Sequence, residues 1–247
     1  MSVSSFGRFM IADHIILCCT RSITHHKIQV YNPSSPNLIC LFCLRDAIQG
    51  GESILSRNED ITANIPFDMK QFLETHGGLR YRRVYYDKSR AVAEGEEERP
   101  SWAISWQDKC MTTSRQTATQ FWIDHNFEEN NIAFGENGTM TIDFYHRGFI
   151  RDKKTGKDLW FNIVDVGLPP SLNGAFTQKP GISAADGTLI PQEMIARVQG
   201  ERWQSVRSFK LEPGDWLVVD NKAVQHGRLP YQDDEAHRRT LFTTYTM

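Results

Sequence analysis

The feature that most constrains this chain is an apolar run between two turn signals, GDWLVVDN at 214–221, which follows a Pro-Gly pair. It predicts a core strand. The strand leads through a turn to His226 and Arg228, and the pair Arg238-Arg239 follows shortly afterwards. A histidine just past a buried strand can bind a metal, and a planar guanidinium pairs with a carboxylate through two hydrogen bonds. The segment therefore indicates a site for a metal and an anionic co-substrate.

Strand and helix signals occur along the rest of the chain. NLICLFCL at 37–44 is a continuous apolar run that predicts a strand buried on both faces, and TMTIDFY at 139–145 alternates after a turn. Helices are predicted over 66–78, 113–126 and 191–203. We expect a single β-rich α+β domain, with which a jelly-roll barrel is compatible.

Composition excludes several classes of protein. The net charge of −2 argues against a dedicated nucleic-acid or membrane-surface protein. RYRRVYY at 80–86 is more typical of an amphipathic strand than of a nucleic-acid patch. The acidic segment 86–101 is predicted to be a solvated loop rather than a lid. No nucleic acid or membrane is expected as a partner.

The five cysteines form no disulfide pattern, because their number is odd and the chain is long. Cys40 and Cys43 lie in an apolar run without a second pair at zinc-site spacing, which favours buried, reduced thiols. FMIADHIILCC near the N-terminus is too short to span a bilayer. A cytoplasmic protein is the default expectation.

Beyond these patterns, the chain resembles a known family. PGDWLVVDNKAVQHGRLPY followed by RRTLF is similar to the C-terminal signature of the taurine dioxygenase-like (TauD/TfdA) Fe(II)/2-oxoglutarate oxygenases, and above all to their clavaminate-synthase-like members of secondary metabolism. HHKIQVYNPSSPNLICLFCLRDAIQGGES resembles their first metal motif and the strand and turn after it. The resemblance covers about residues 25–247, leaves 1–29 atypical within the single domain 1–247, and implies a double-stranded β-helix (jelly-roll) core with flanking helices.

The resemblance also implies roles for residues that match the family's motifs. His26 and His226 correspond to the two iron histidines. Ser53, 27 positions after His26, corresponds to the hydroxyl that contacts 2-oxoglutarate. Arg239, 13 positions after His226, corresponds to the arginine that pairs with its distal carboxylate, and Arg238 is the fallback if the register differs by one.

Two further positions are informative because they depart from the family. Thr243 stands where taurine dioxygenase has a sulfonate-binding arginine, which disfavours a taurine-like substrate. Ile28 stands at the position of the iron-binding carboxylate and cannot coordinate a metal. Losing this anionic ligand should weaken Fe(II) binding.

Four explanations of Ile28 are open. In the first, the metal site is completed by water, by a halide as in halogenases, or by His25. In the second, the protein is a non-catalytic relative that keeps the fold, and in the third the alignment register is shifted. In the fourth, the first ~28 residues are not the natural ones, since family members carry a much longer segment before the first iron histidine.

The expected function is that of a non-haem Fe(II)/2-oxoglutarate-dependent dioxygenase with Fe(II), 2-oxoglutarate and O2 as cofactor and co-substrates. It would oxidise a small-molecule metabolite that the sequence does not identify, and a homo-oligomer is compatible with the chain. The alternative is a catalytically impaired or non-enzymatic relative.

Asp220 is a candidate to support His226, although a structural hydrogen bond is as good an interpretation. Trp160 and Phe161 are expected in the core rather than in the substrate pocket.

Overall fold

The computed structural model describes residues 24–26, 32–90, 104–164, 181–234 and 236–246, with residues 24–26 described through their backbone alone. The strands are β1 (Thr24–His26), β2 (Leu38–Arg45), β3 (Gln49–Gly50), β4 (Ser53–Arg57), β5 (Leu79–Tyr85), β6 (Ile132–Phe134), β7 (Met140–His146), β8 (Phe149–Arg151), β9 (Asp158–Trp160), β10 (Gly181–Ala184), β11 (Arg207–Phe209), β12 (Trp216–Asp220), β13 (Val224–Arg228), β14 (Tyr231–Gln232) and β15 (Thr240–Thr246). The helices are α1 (Asn58–Asn64), α2 (Phe67–Thr75), α3 (Trp106–Cys110), α4 (Arg115–Asp124) and α5 (Gln192–Gln204), with a 3-10 turn at Glu129–Asn131.

All pairings between these strands are antiparallel, and most join segments far apart in sequence. The larger sheets have the orders β1-β13-β4-β11, β10-β5-β7-β6 and β12-β2-β15. The pairs β14-β3 and β8-β9 complete the described sheets. The predicted β-rich fold is therefore confirmed, and its described sheets are antiparallel, while the jelly-roll closure and the single-domain assignment stay predictions.

Four of the five described helices follow residues that mark helix starts in a sequence, whereas α1 follows Arg57, which makes no capping hydrogen bond. Ser105 and Ser114 precede α3 and α4, and their hydroxyls accept hydrogen bonds from the backbone N–H groups of Asp108 and Thr117. Pro66 and Pro191 precede α2 and α5, where a missing N–H costs nothing. The three predicted helices thus exist, each within a few residues of its expected ends.

The core of the described part is built from two clusters of buried side chains. The larger joins α1, α2 and α5 to β5 and β9, with Tyr81, Trp160 and Val198 at 1%, 0% and 0% exposure. The smaller gathers Trp106 and Trp122 from α3 and α4 on β7. Trp160 and the buried Phe161 are core residues, as expected.

The prediction that strand 37–44 is buried on both faces is wrong. In β2, Ile39 and Cys43 are buried, whereas Leu38 and Leu44 are exposed, so burial alternates along the strand. An uninterrupted apolar run shows that both faces of the strand are hydrophobic, but it does not show which elements pack on each face. Cys43 and Cys110 are buried free thiols, whereas Cys40 is only half-buried. No helix in the described ranges is long and apolar enough to cross a membrane.

Candidate functional site

The two predicted iron histidines lie at directly paired positions of neighbouring strands. Strand β1 pairs with β13 so that His26 is opposite His226 and Thr24 is opposite Arg228. Directly opposed Cα atoms in an antiparallel pair lie about 4.5–5.5 Å apart, and the two positions share one face of the sheet. The imidazole of His226 is buried. The backbone therefore brings together two positions that are 200 residues apart in sequence.

Ser53 lies on the next strand of the same sheet. Strand β4 pairs with β13, with Ser53 opposite Arg228 and Leu55 opposite His226. Because side chains alternate with a period of two, positions 53, 226 and 228 share a face of the sheet. The Ser53 side chain is buried at 4% exposure. A buried hydroxyl beside this histidine suits a polar ligand better than an apolar one.

The turn before Ser53 packs tightly on the segment after Arg228. Gly50 pairs with Tyr231, and the N–H of Gly51 donates to the carbonyl of Pro230 at 3.0 Å. Gly51 has a φ of +77°, a conformation that L side chains rarely adopt. A Cβ at this position would lie 3.2 Å from Cβ of Tyr231. The glycine thus permits the close approach of the two segments.

Arg239 contacts this turn, and Arg238 does not share the contact. The Nη2 of Arg239 donates to the carbonyl of Gly51 at 3.3 Å, and its guanidinium lies 5.7 Å from the ring centre of Tyr231. Arg238 is exposed. Of the two arginines, Arg239 therefore lies beside the segment that carries Ser53.

Arg228 also lies in the site, although no specific role was predicted for it. It is buried, and its guanidinium lies over the ring of Tyr231 at 4.2 Å from the centroid. The signal was present in the sequence, because a histidine and an arginine two residues apart on one strand occupy the same face. The ring of Tyr231 thus contacts the guanidinium groups of both Arg228 and Arg239.

The third metal ligand is not supplied by the described residues. Ile28 lies outside them, and His25 is described through its backbone, which is opposite Gly227. Positions 25 and 26 alternate across the strand, so position 25 belongs to the opposite face from position 26. Within the described ranges, no three His, Cys, Asp or Glu side chains are grouped to hold a metal.

Charges near the site are arranged by a few specific contacts. The ammonium of Lys210 lies 3.1 Å from the carboxylate of Asp46, and this hydrogen bond holds the pKa of Asp46 below its usual value. Burial raises the pKa of the Cys43 thiol, and the positive charge of Arg239 opposes that effect. Asp220 accepts hydrogen bonds from the N–H groups of Lys222 and Ala223, so it forms the turn between β12 and β13.

Comparison with known proteins identifies the class. Residues 20–245 match the family model described as taurine catabolism dioxygenase TauD, TfdA family. The chain belongs to this family, which confirms the resemblance seen in the sequence. The description of this family as a dioxygenase family agrees with the expected Fe(II), 2-oxoglutarate and O2.

Individual relatives are distant. The chain is 21% identical over 234 residues to the dapdiamide synthesis protein DdaC of Enterobacter agglomerans. The aligned region covers 90% of this chain and 65% of the relative. It is 22% identical to a clavaminate synthase-like protein of Arabidopsis thaliana, over 84% of this chain and 60% of the relative. The chain therefore spans less than two thirds of the length of these curated relatives.

Similar solved structures include an asparagine oxygenase and an enzyme called AAD-2. The asparagine oxygenase has a TM-score of 0.49 at 11% identity, with 92% of this chain and 49% of that chain covered. AAD-2, solved with Mn(II) and N-oxalylglycine, has a TM-score of 0.49 at 12% identity, with 90% of this chain and 68% of that chain covered.

Proposed function

We propose that this protein is a non-haem Fe(II)/2-oxoglutarate-dependent dioxygenase that oxidises a small-molecule metabolite of secondary metabolism. The observation that carries the proposal is the antiparallel pairing of His26 with His226, beside Ser53 on the next strand. Family membership agrees with it. The jelly-roll architecture that such enzymes use is part of the proposal.

The proposed co-substrate site lies on the turn formed by Gly50 and Gly51. The guanidinium of Arg239 binds the distal carboxylate of 2-oxoglutarate through two hydrogen bonds, and the hydroxyl of Ser53 donates to a carboxylate oxygen. The contact between Arg239 and Gly51, two residues before Ser53, supports this pairing. Tyr231 stacks against Arg239 and limits the positions that its guanidinium can adopt.

The donor set fits the metal in part. His26 and His226 would hold Fe(II), because imidazole nitrogen suits this ion. When bound, Fe(II) supplies the activation of O2 for oxidation of the substrate. Ile28 provides no anionic ligand, so the site is a two-histidine site completed by water or a halide, because position 25 belongs to the opposite face of β1. A catalytically impaired relative that keeps the fold is the second candidate, and Ile28 is the observation that favours it.

Anaerobic titration with Fe(II) and 2-oxoglutarate tests the proposal. A functional site gives a visible metal-to-ligand charge-transfer band that His226→Ala abolishes. Absence of the band, together with absence of tight iron binding, would support the impaired relative instead. If Ile28→Asp then produced the band, the missing carboxylate would be the cause of the impairment.

A matched pair of arginine variants tests the co-substrate assignment. Hydrogen bonds to charged groups contribute about 1.5–3 kcal/mol, so Arg239→Ala should weaken 2-oxoglutarate binding by about 10- to 100-fold. Arg238→Ala, its exposed neighbour, should change the affinity by less than about threefold. Calorimetry with Mn(II) in place of Fe(II) measures both. Equal effects, or the reverse order, would show that the arginine is misassigned.

A further inference from the structure

A cleft lies between helix α2 and the hairpin formed by β8 and β9. Its volume is about 590 Å³, which is in the range of small-molecule sites. One wall carries Lys70, Leu73 and Glu74 of α2, and the other carries Arg147, Phe149 and Asp158. Among the described residues that line the cleft, none is assigned above to iron or to 2-oxoglutarate. The cleft is therefore separate from the proposed active site.

Backbone contacts hold the two walls in place. The N–H of Gly78 donates to the carbonyl of Leu73 at 2.7 Å, which closes the end of α2. The carbonyl of Gly148 accepts hydrogen bonds from the N–H of Phe161 at 3.0 Å and from Nδ2 of Asn162 at 2.8 Å. A Cβ at Gly148 would lie 2.9 Å from Cδ1 of Leu73, so the turn before β8 packs directly on α2. The cleft is thus formed before any ligand binds.

Each wall contributes one cation to the cleft. In the part of the chain that the structure describes, neither Lys70 nor Arg147 has a carboxylate within ion-pair distance. Asp158 already has a cation of its own, because Nη1 of Arg151 lies 3.4 Å from its carboxylate. The remaining acid of the lining, Glu74, is exposed. The cleft therefore offers two cations against one unpaired carboxylate.

The positive charge extends along the hairpin. Residues 147–157, which we call the basic segment, contain five cations and one acid, in a chain whose net charge is −2. The acid, Asp152, accepts hydrogen bonds from the N–H groups of Lys154 and Thr155 and so belongs to the hairpin turn. A local excess of one sign of charge raises the local concentration of ligands of the opposite sign. The basic segment thus favours an anion in the adjoining cleft.

We propose that this cleft binds a small molecule that carries a phosphate or carboxylate group on an apolar body. Lys70 and Arg147 bind the anionic group, because charge-assisted hydrogen bonds from ammonium and guanidinium groups are strong. The apolar body packs on Leu73, which is 3% exposed, and on the half-buried Phe149. This site is independent of the proposed oxygenase function.

Calorimetry on the full-length protein tests the proposal with three probes that share one ring. Phenyl phosphate and benzoate represent the two anionic groups, and benzylamine carries the opposite charge. At least one of the two anions should bind, and the tighter one identifies the group that the cleft prefers. Benzylamine should not bind, because its ammonium meets Lys70 and Arg147. Absence of binding by both anions at millimolar concentrations would overturn the proposal, as would tighter binding of benzylamine.

Variants locate the bound anion. Lys70→Gln and Arg147→Gln should each weaken its binding by about 10-fold or more, because each removes a charged hydrogen-bond donor. Lys154→Gln, in the basic segment but outside the lining, should change the affinity by less than about threefold. Equal effects of all three substitutions would show a diffuse charge effect instead of a site, and would overturn the proposal.

Two further variants fix the sign of the charge and the place. Glu74→Gln should tighten binding of the anion several-fold, because it removes a repelling charge. Weaker binding in this variant would overturn the anionic assignment. Arg239→Ala should leave the affinity for the probe unchanged, and a loss there would place the probe at the co-substrate arginine. Failure of this proposal is thus distinct from failure of the oxygenase assignment, which the iron titration measures.

Discussion

Replacing Gly51 with alanine tests whether the turn before Ser53 is as closely packed as the structure describes. A Cβ at Gly51 would lie 3.0 Å from Cβ of Ala47, 3.2 Å from Cβ of Tyr231 and 3.3 Å from Nε of Arg239. The left-handed backbone costs an L residue about 1–2 kcal/mol, and overpacking adds about 1–3 kcal/mol. Gly51→Ala should therefore lower the free energy of unfolding by about 2–5 kcal/mol.

Gly214 offers a matched control. Its φ of +98° is also positive, but nothing lies within 4 Å of a Cβ built there. Gly214→Ala should cost about 1–2 kcal/mol, from the backbone alone. The difference between the two variants isolates the contacts with Ala47, Tyr231 and Arg239. Urea denaturation gives both free energies, and calorimetry should show weaker 2-oxoglutarate binding in Gly51→Ala only. Equal destabilisation by the two substitutions would refute the close packing.

Two further substitutions test the core and the acid stability. Trp160→Ala should cost about 3–5 kcal/mol in urea denaturation, because the side chain is fully buried, whereas Phe67→Ala, at 78% exposure, should cost about 1 kcal/mol or less. Similar costs would contradict the core assignment. The hydrogen bond from Nδ1 of His76 at 2.8 Å lowers the pKa of Asp186 to about 2. A carboxyl whose pKa is lowered in the folded state stabilises that state at pH values above its unfolded pKa of ~3.9. The unmodified protein should therefore have a larger free energy of unfolding than Asp186→Asn at neutral pH. This difference should disappear as the pH falls from ~4 to about 2. A difference independent of pH over that range would show that this contact is not formed in solution.

The distinction between Arg238 and Arg239 shows where sequence reasoning reached its limit. Motif spacing favoured Arg239 and kept Arg238, one residue away, as the fallback. In the fold, the pairing of β15 with β2 shifts its register between Thr240 and Leu241, directly after the arginine pair. Such an irregularity changes which side chain points to which face, and nothing local in the sequence marks it. The contact of Arg239 with Gly51 is a tertiary contact between residues 188 positions apart.

The sequence alone determined the elements that depend on local chemistry. The proline residues before α2 and α5, the serine before α4, and the apolar patterns of β7 and β12 act on the chain within a few residues of their own positions. The family followed from motifs in the same way, because residue type and spacing are properties of the chain.

Tertiary structure decided which of these elements face one another. The antiparallel pairing of β1 with β13 put His26 opposite His226, and the pairing of β4 with β13 put Ser53 on the same face. It also packed one side of β2 and left Leu38 and Leu44 exposed on the other. Hydrogen bonds between distant strands set these relations, and their register depends on the whole fold rather than on the residues nearby.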